Sequence, residues 1–158
     1  MTAFQCIPME TETAERFRRT GRDDNGNMVR KIIATPAGGF SCRHCLSLGQ
    51  PGETMLLGSY NLPRPRGIYW TPSPIFVHAE ACERFEAENE MAPIVRANSL
   101  VSVRAYDKAD QCLYDLGVVC TGEEAQAPLT RALDDARTAF VNIHTARPGC
   151  LLSRVERV

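Results

Sequence analysis

Hydrophobic and polar positions alternate along most of this chain, which is the pattern of half-buried strands. In the segment Ser99 to Tyr106, Val101, Val103 and Ala105 share one face, while Ser102, Arg104 and Tyr106 share the other. Phe140 to His144 repeats the pattern, with Val141 and Ile143 against Phe140, Asn142 and His144. Shorter alternating runs at Phe4 to Ile7, Val29 to Thr35, Thr54 to Gly58, Pro74 to His78, Leu113 to Val119 and Leu151 to Val155 read as further strands. Helical spacing is clearest at Leu129, Ala132, Leu133 and Ala136, placing a helix near 128–137, with Thr121 and Glu124 spaced as a capping box before it. A second helix from Thr11 or Thr13 through Arg19 stops at Gly21, and a short charged one is expected over Glu80 to Asn89.

Turn residues punctuate the rest. Asp23-Asp24-Asn25-Gly26-Asn27, Pro51-Gly52 and Arg147-Pro148-Gly149-Cys150 supply proline-set corners or the positive φ that glycine and asparagine tolerate. Residues 59–74 form the longest irregular stretch. It is rich in proline and aromatic residues, and reads either as a connection pinned to the surface or as a lid. No repeat or change of composition divides the chain. The expectation is one α+β domain over residues 1–158, a mainly antiparallel, strongly curved sheet of about seven strands with two or three helices, the one near 128–137 as its crossover.

Charge narrows the function classes. With 18 basic and 19 acidic residues the net charge is −1, which lacks the basic excess of a general nucleic-acid binder. No apolar run reaches membrane-spanning length and the first residues lack a secretory layout, so a soluble, cytoplasmic protein with neither nucleic acid nor membrane as partner is expected. Seven cysteines, an odd number without an export signal, point to reduced thiols, with Cys6, Cys112 and Cys120 as core residues. Phosphate-cradling glycine loops, metalloprotease helices and nucleophile elbows are absent.

Three chemical groupings remain. If the apolar faces of the strands at 99–106 and 140–144 line the core, Arg104, Tyr106, Asn142 and His144 lie together on the opposite face. Arg147 in the following turn and Arg43 could join them. Guanidinium forks match carboxylate or phosphate oxygens in pairs, so Arg43, Arg104, His144 and Arg147 are the candidate ligand-binding residues for a small anionic molecule. In that leading reading His144, titrating near neutrality, bonds the ligand or shuttles a proton, Cys42 and Cys150 lie nearby, and no metal or cofactor is required. The alternative is zinc: Cys42-Arg43-His44-Cys45 is half of a zinc site, its partners two of His78, Cys82, His144 and Cys150. Third, the same cysteines could form a redox pair, although Leu48 to Gly52 leaves no room for the helix that activates such thiols. A nucleophilic Cys150 assisted by His144 is a further variant.

Phe40-Ser41-Cys42-Arg43-His44-Cys45-Leu46, Pro51-Gly52-Glu53, Pro74 to His78, Val103-Arg104-Ala105-Tyr106-Asp107 and His144 to Cys150 occur in this order along the chain. The series resembles a family of small bacterial proteins known as domain of unknown function 1203. The resemblance covers nearly the whole chain and implies a single domain from a bacterial cytoplasm. It carries no activity, cofactor or catalytic residue.

Overall fold

A computed structural model of the chain describes residues 1–158, arranged as α+β with two antiparallel sheets. In chain order the elements are β1 (Phe4–Ile7), α1 (Thr11–Thr20), β2 (Arg30–Ile33), β3 (Thr54–Asn61), β4 (Pro72–His78), α2 (Pro93–Arg96), β5 (Val101–Tyr106), β6 (Val118–Cys120), α3 (Gln126–Asp134), β7 (Phe140–Thr145) and β8 (Leu151–Arg157). Five strands form one sheet in the order β1-β8-β7-β5-β6, and β2-β3-β4 form the second. The fold class agrees with the sequence, but the strands divide between two sheets instead of one. Helix α3 is the expected crossover: it links β6 to β7, which flank β5 on either side.

Each sheet has its own apolar core. One face of the five-stranded sheet, with Val101, Val103, Ala105, Val141, Ile143 and Val155, packs with Leu129, Ala132 and Leu133 of α3 and with Ile94 and Val95 of α2. The second core gathers Phe17 of α1, Met55, Leu56, Ile75 and Val77 of the smaller sheet, and Leu151 from β8. Leu151 turns toward the second core and Leu152 toward the first, because the β7–β8 ladder slips between Ile143 and His144. The bulge thus lets β8 serve both cores.

Several local expectations hold, with shifted limits. Gly21 ends α1 in the left-handed conformation at φ 65°. Thr121 and Glu124 bond each other as in a capping box, but they close a turn ahead of α3. Strand β4 begins at Pro72, earlier than the prolines suggested. They are tolerated because β4 is an edge strand that needs no donor on its outer side. The irregular stretch shrinks to 62–71 and is pinned: Trp70 donates to the Leu62 carbonyl, the Tyr69 and Tyr114 hydroxyls meet at 2.7 Å, and Arg64 pairs with Asp110.

The helix expected over Glu80 to Asn89 does not form. That segment runs irregularly between the two sheets, and its backbone is bonded outward: Phe85 donates to the His44 carbonyl and Asn89 to that of Phe4, at 3.2 and 2.7 Å. Tertiary bonds at both ends outweigh the weak charge pairing that favoured a helix. No helix is long and apolar enough to cross a membrane.

Candidate metal centre

The segment Ser41 to Leu48 makes a tight knuckle closed at its base by the Cys42 amide donating to the Ser47 carbonyl, and Leu46 takes φ 54° within it. The Arg43 amide bonds to the Phe76 carbonyl, docking the knuckle on the free edge of β4. That contact carries Cys42 and Cys45 to His78 at the end of β4, and Cys82 follows on the irregular segment. The sulfurs of the three cysteines and a ring nitrogen of His78 all lie within 4.8 Å of one another.

Two separations test whether this cluster suits a metal. A tetrahedral zinc ion with bonds of about 2.3 Å to sulfur and about 2.0 Å to nitrogen leaves sulfur–sulfur edges of about 3.8 Å and sulfur–nitrogen edges of about 3.5 Å. Cys42 Sγ lies 3.8 Å from Cys82 Sγ, and Cys45 Sγ lies 3.5 Å from His78 Nδ1. A disulfide needs roughly 2.05 Å, and all seven cysteines are free thiols. Three soft sulfurs and one imidazole at these spacings fit zinc.

The surroundings complete the fit. Backbone N–H groups of Cys45 and Ser47 point at the sulfurs of Cys42 and Cys45. Arg18 Nη2 donates to Cys82 Sγ at 3.4 Å, and its partly buried guanidinium opposes the single negative charge that three thiolates leave on a divalent ion. His44 Nδ1 lies 3.2 Å from the same sulfur. Thr11 Oγ1 sits 2.8 Å from the other ring nitrogen, so in the Nδ1-protonated tautomer the Thr11 hydroxyl donates to His44 and His44 donates to Cys82. On the far side of His78, Glu53 lies 3.5 Å from Nε2, the outer carboxylate that orients a ligating imidazole. A polar cleft of about 480 Å³ runs past His78 and Glu53 to solvent, giving an ion a way in.

Proton energetics agree with the geometry. The Cys42 thiol is held low by Cys45 and Cys82, which donate to its sulfur. Cys45 and Cys82 are pushed up, chiefly by that same bond to Cys42 and then by burial. His78 is raised as well, first through its bond to Cys42. One thiolate is therefore comfortable and two more are costly until a cation joins them.

The proposed arginine and histidine set is partly assembled. Strands β5 and β7 pair Ser102 with His144 and Arg104 with Asn142 on the face turned away from α3, as the alternation predicted. Arg43 is buried nearby, its Nε and Nη1 donating to the carbonyls of Leu151 and Ser41. Arg104 donates to Ser102 Oγ at 3.1 Å. Arg147 stands apart, exposed in its turn. His144 is buried and its Nδ1–H donates to the Gly149 carbonyl at 2.9 Å, which leaves Nε2 a buried acceptor without a partner. Burial, with Arg104 and Arg43 close by, pushes this imidazole down to about 4, so it is neutral at neutral pH and does not titrate there as the sequence suggested. It makes no bond to Cys150, and no helix follows Cys45 to activate a redox thiol.

A profile of the family described as protein of unknown function DUF1203 matches residues 39–157. The chain belongs to this family. The matched span contains all four cluster residues but not β1 or α1, so Arg18 and Thr11 support the cluster from outside it. No curated protein and no solved structure matches the chain.

Of the partners weighed for Cys42 and Cys45, His78 and Cys82 are the two brought to them, while His144 and Cys150 belong to the other sheet. Sequence reasoning missed the supporting roles of Arg18, His44 and Glu53. His44 had a visible signal, lying inside the Cys-x-x-Cys motif. Arg18 and Glu53 had none, because long-range packing alone places them.

Proposed function

We propose that this chain is a zinc-stabilised module in which Cys42, Cys45, His78 and Cys82 hold one zinc ion. The observation that carries the reading is the match between the two ligand separations and the edges of a zinc tetrahedron. Four protein ligands fill the tetrahedron and leave no open position for a substrate, so the ion is structural. Zinc supplies the charge that lets all three thiols release their protons. The residues then join three pieces of chain: the knuckle, the end of β4, and the irregular segment that connects the small sheet to α2. That segment has little regular hydrogen bonding of its own, and Cys82 ties it down. The test is metal content with chelation: one zinc per chain, with loss of the folded state on its removal, is expected. A metal-free chain that remains folded excludes the reading.

A second reading, a small anionic ligand, is favoured by one observation. Arg43 is buried, and both of its hydrogen bonds go to backbone carbonyls, with no carboxylate in reach. Arg43, Arg104 and His144 remain candidate ligand residues near one sheet face, and Arg147 would enter only from the exposed turn. Alanine at Arg43 and Arg104, compared in a thermal-shift screen of small anions, tests it: unchanged shifts exclude it.

A further inference from the structure

The outer edges of the two sheets are not treated alike. Strand β4 is covered by the knuckle, whose Arg43 amide bonds to the Phe76 carbonyl, and β1 by the irregular segment, where Asn89 donates to the Phe4 carbonyl. Strands β6 and β2 have no neighbouring strand on their outer sides. Strand β6 is open over only 3 residues. Along β2 the bonding pattern shows which backbone groups are free. The Ala34 amide donates to the Glu53 carbonyl, and the Thr54 carbonyl is taken on its other side by Ala79. Alternation therefore turns the backbone groups of Arg30 and Ile32 toward β3, and those of Lys31 and Ile33 outward. The Val29 amide is already held by the Gly21 carbonyl, so the open edge begins at Lys31.

The side chains around this edge say what would pair with it. Arg30 and Lys31 lie on it, Arg22 bridges to Met28 beside its start, and Arg19 stands near the end of α1. All four are exposed, and none makes an ion pair. The carboxylates of the region are committed elsewhere: Asp24 to Arg16, Asp23 to the amides of Asn25, Asn27 and Ser59, and Glu53 to His78. Two large apolar side chains are also left in water, Met28 at 72% and Ile33 at 57% exposure. A second copy of this chain is a poor match. Self-pairing would crowd the cations of both copies along one short edge, the like-charge arrangement by which edge strands resist pairing with themselves.

We propose that the open edge of β2 binds an extended, acidic protein segment by strand addition. The outward backbone groups of Lys31 and Ile33 bond the incoming strand, which supplies the affinity. Side chains set the choice of partner: carboxylates opposite Arg30 and Lys31, and aliphatic groups opposite Ile32 and Ile33. In an antiparallel alignment the partner therefore carries two aliphatic residues followed by two acidic ones. Its continuation leads toward Arg22 and Arg19, which favour further acidic residues. The proposal is independent of zinc and of the anion reading, because none of these residues belongs to either site.

The test is an NMR titration of the intact, isotopically labelled protein with the peptide Thr-Val-Val-Glu-Glu-Thr and with its control Thr-Val-Val-Lys-Lys-Thr. Saturable amide shifts centred on Lys31 and Ile33 are expected with the first, and binding at least about tenfold weaker with the second. Arg30→Glu combined with Lys31→Glu should reverse that preference. Ile33→Pro removes an outward N–H without costing a bond to β3, and should abolish binding while the chain stays folded. If Ile33→Pro does not fold, the charge exchange carries the test. Absence of saturable shifts, shifts centred away from β2, or equal binding of the two peptides overturns the proposal. So does a dimer of the chain alone that forms through this edge, or saturation of the edge by a single-stranded oligonucleotide when the acidic peptide does not bind.

Discussion

At the Cys42–Cys82 cluster three thiols and an imidazole converge on one point, and their protons are in each other's way until a cation arrives. On the inner face of β7 and β8 the imbalance is reversed: Arg43 is buried among carbonyls with no carboxylate beside it. Both regions concentrate groups that a folded chain could have left in water, yet they are built differently. The cluster is assembled from a knuckle, a strand end and an irregular segment, so its geometry depends on the ion. The polar face stands on paired strands, with Arg104 opposite Asn142 and Ser102 opposite His144, so its geometry exists without any ligand. The difference teaches where a ligand is structural and where it is a guest: removing the ion should cost the fold, and removing the anion should cost only binding.

That contrast can be broken most forcefully at the metal ligands. Cys42→Ser should release the ion and destabilise the chain by several kcal/mol, a large part of the roughly 5–15 kcal/mol that holds a domain together, as thermal unfolding would read. A variant as stable as the parent would put the cluster in the same class as the polar face. Acid should act in the same direction. Because protons compete for Cys45, Cys82 and His78, whose proton affinities are raised in the metal-free fold, zinc affinity should fall as pH falls, measured by competition with a coloured chelator.

His144 gives the polar face its own pH signature. Its folded-state value of about 4 lies below the ordinary 6.5, so the unfolded chain binds more protons between those two values. Its stability contribution is therefore full above about 6.5 and is lost as pH falls toward 4, on the order of 3 kcal/mol in all. His144→Gln should lack this slope. Zinc release affects both proteins alike, so the difference between their unfolding curves isolates the residue. Identical slopes would mean that His144 titrates alike in the folded and the unfolded chain, contrary to its burial.

Smaller effects sharpen the account. Arg18→Ala and Glu53→Gln should each weaken zinc binding by about tenfold to a hundredfold while leaving the zinc-loaded fold intact. Arg147→Ala should change stability by no more than about 0.5 kcal/mol, since that side chain is exposed.

Much of the architecture is legible in the residues. Alternation places Arg104, Asn142 and His144 on one face because a strand's period fixes which side chains are neighbours, and Leu129, Ala132 and Leu133 mark the crossover helix by their spacing. The limits of that reading have physical causes. Local charge pairs favoured a helix around Arg84, but the His44 and Phe4 carbonyls draw that segment into an extended path. A Cys-x-x-Cys motif names half of a metal site, whereas the choice of His78 and Cys82 over His144 and Cys150 depends on the Arg43–Phe76 backbone contact that docks the knuckle on β4. The burial of Arg43 away from any carboxylate is likewise invisible in sequence, where acidic residues are plentiful.

Native mass spectrometry of protein purified without chelator, recorded before and after unfolding, decides whether Cys42, Cys45, His78 and Cys82 hold zinc. The expected species is the chain mass plus one zinc ion, with the ion departing on unfolding and seven free thiols remaining. A folded species at the bare chain mass, stable in the presence of chelator, would contradict it.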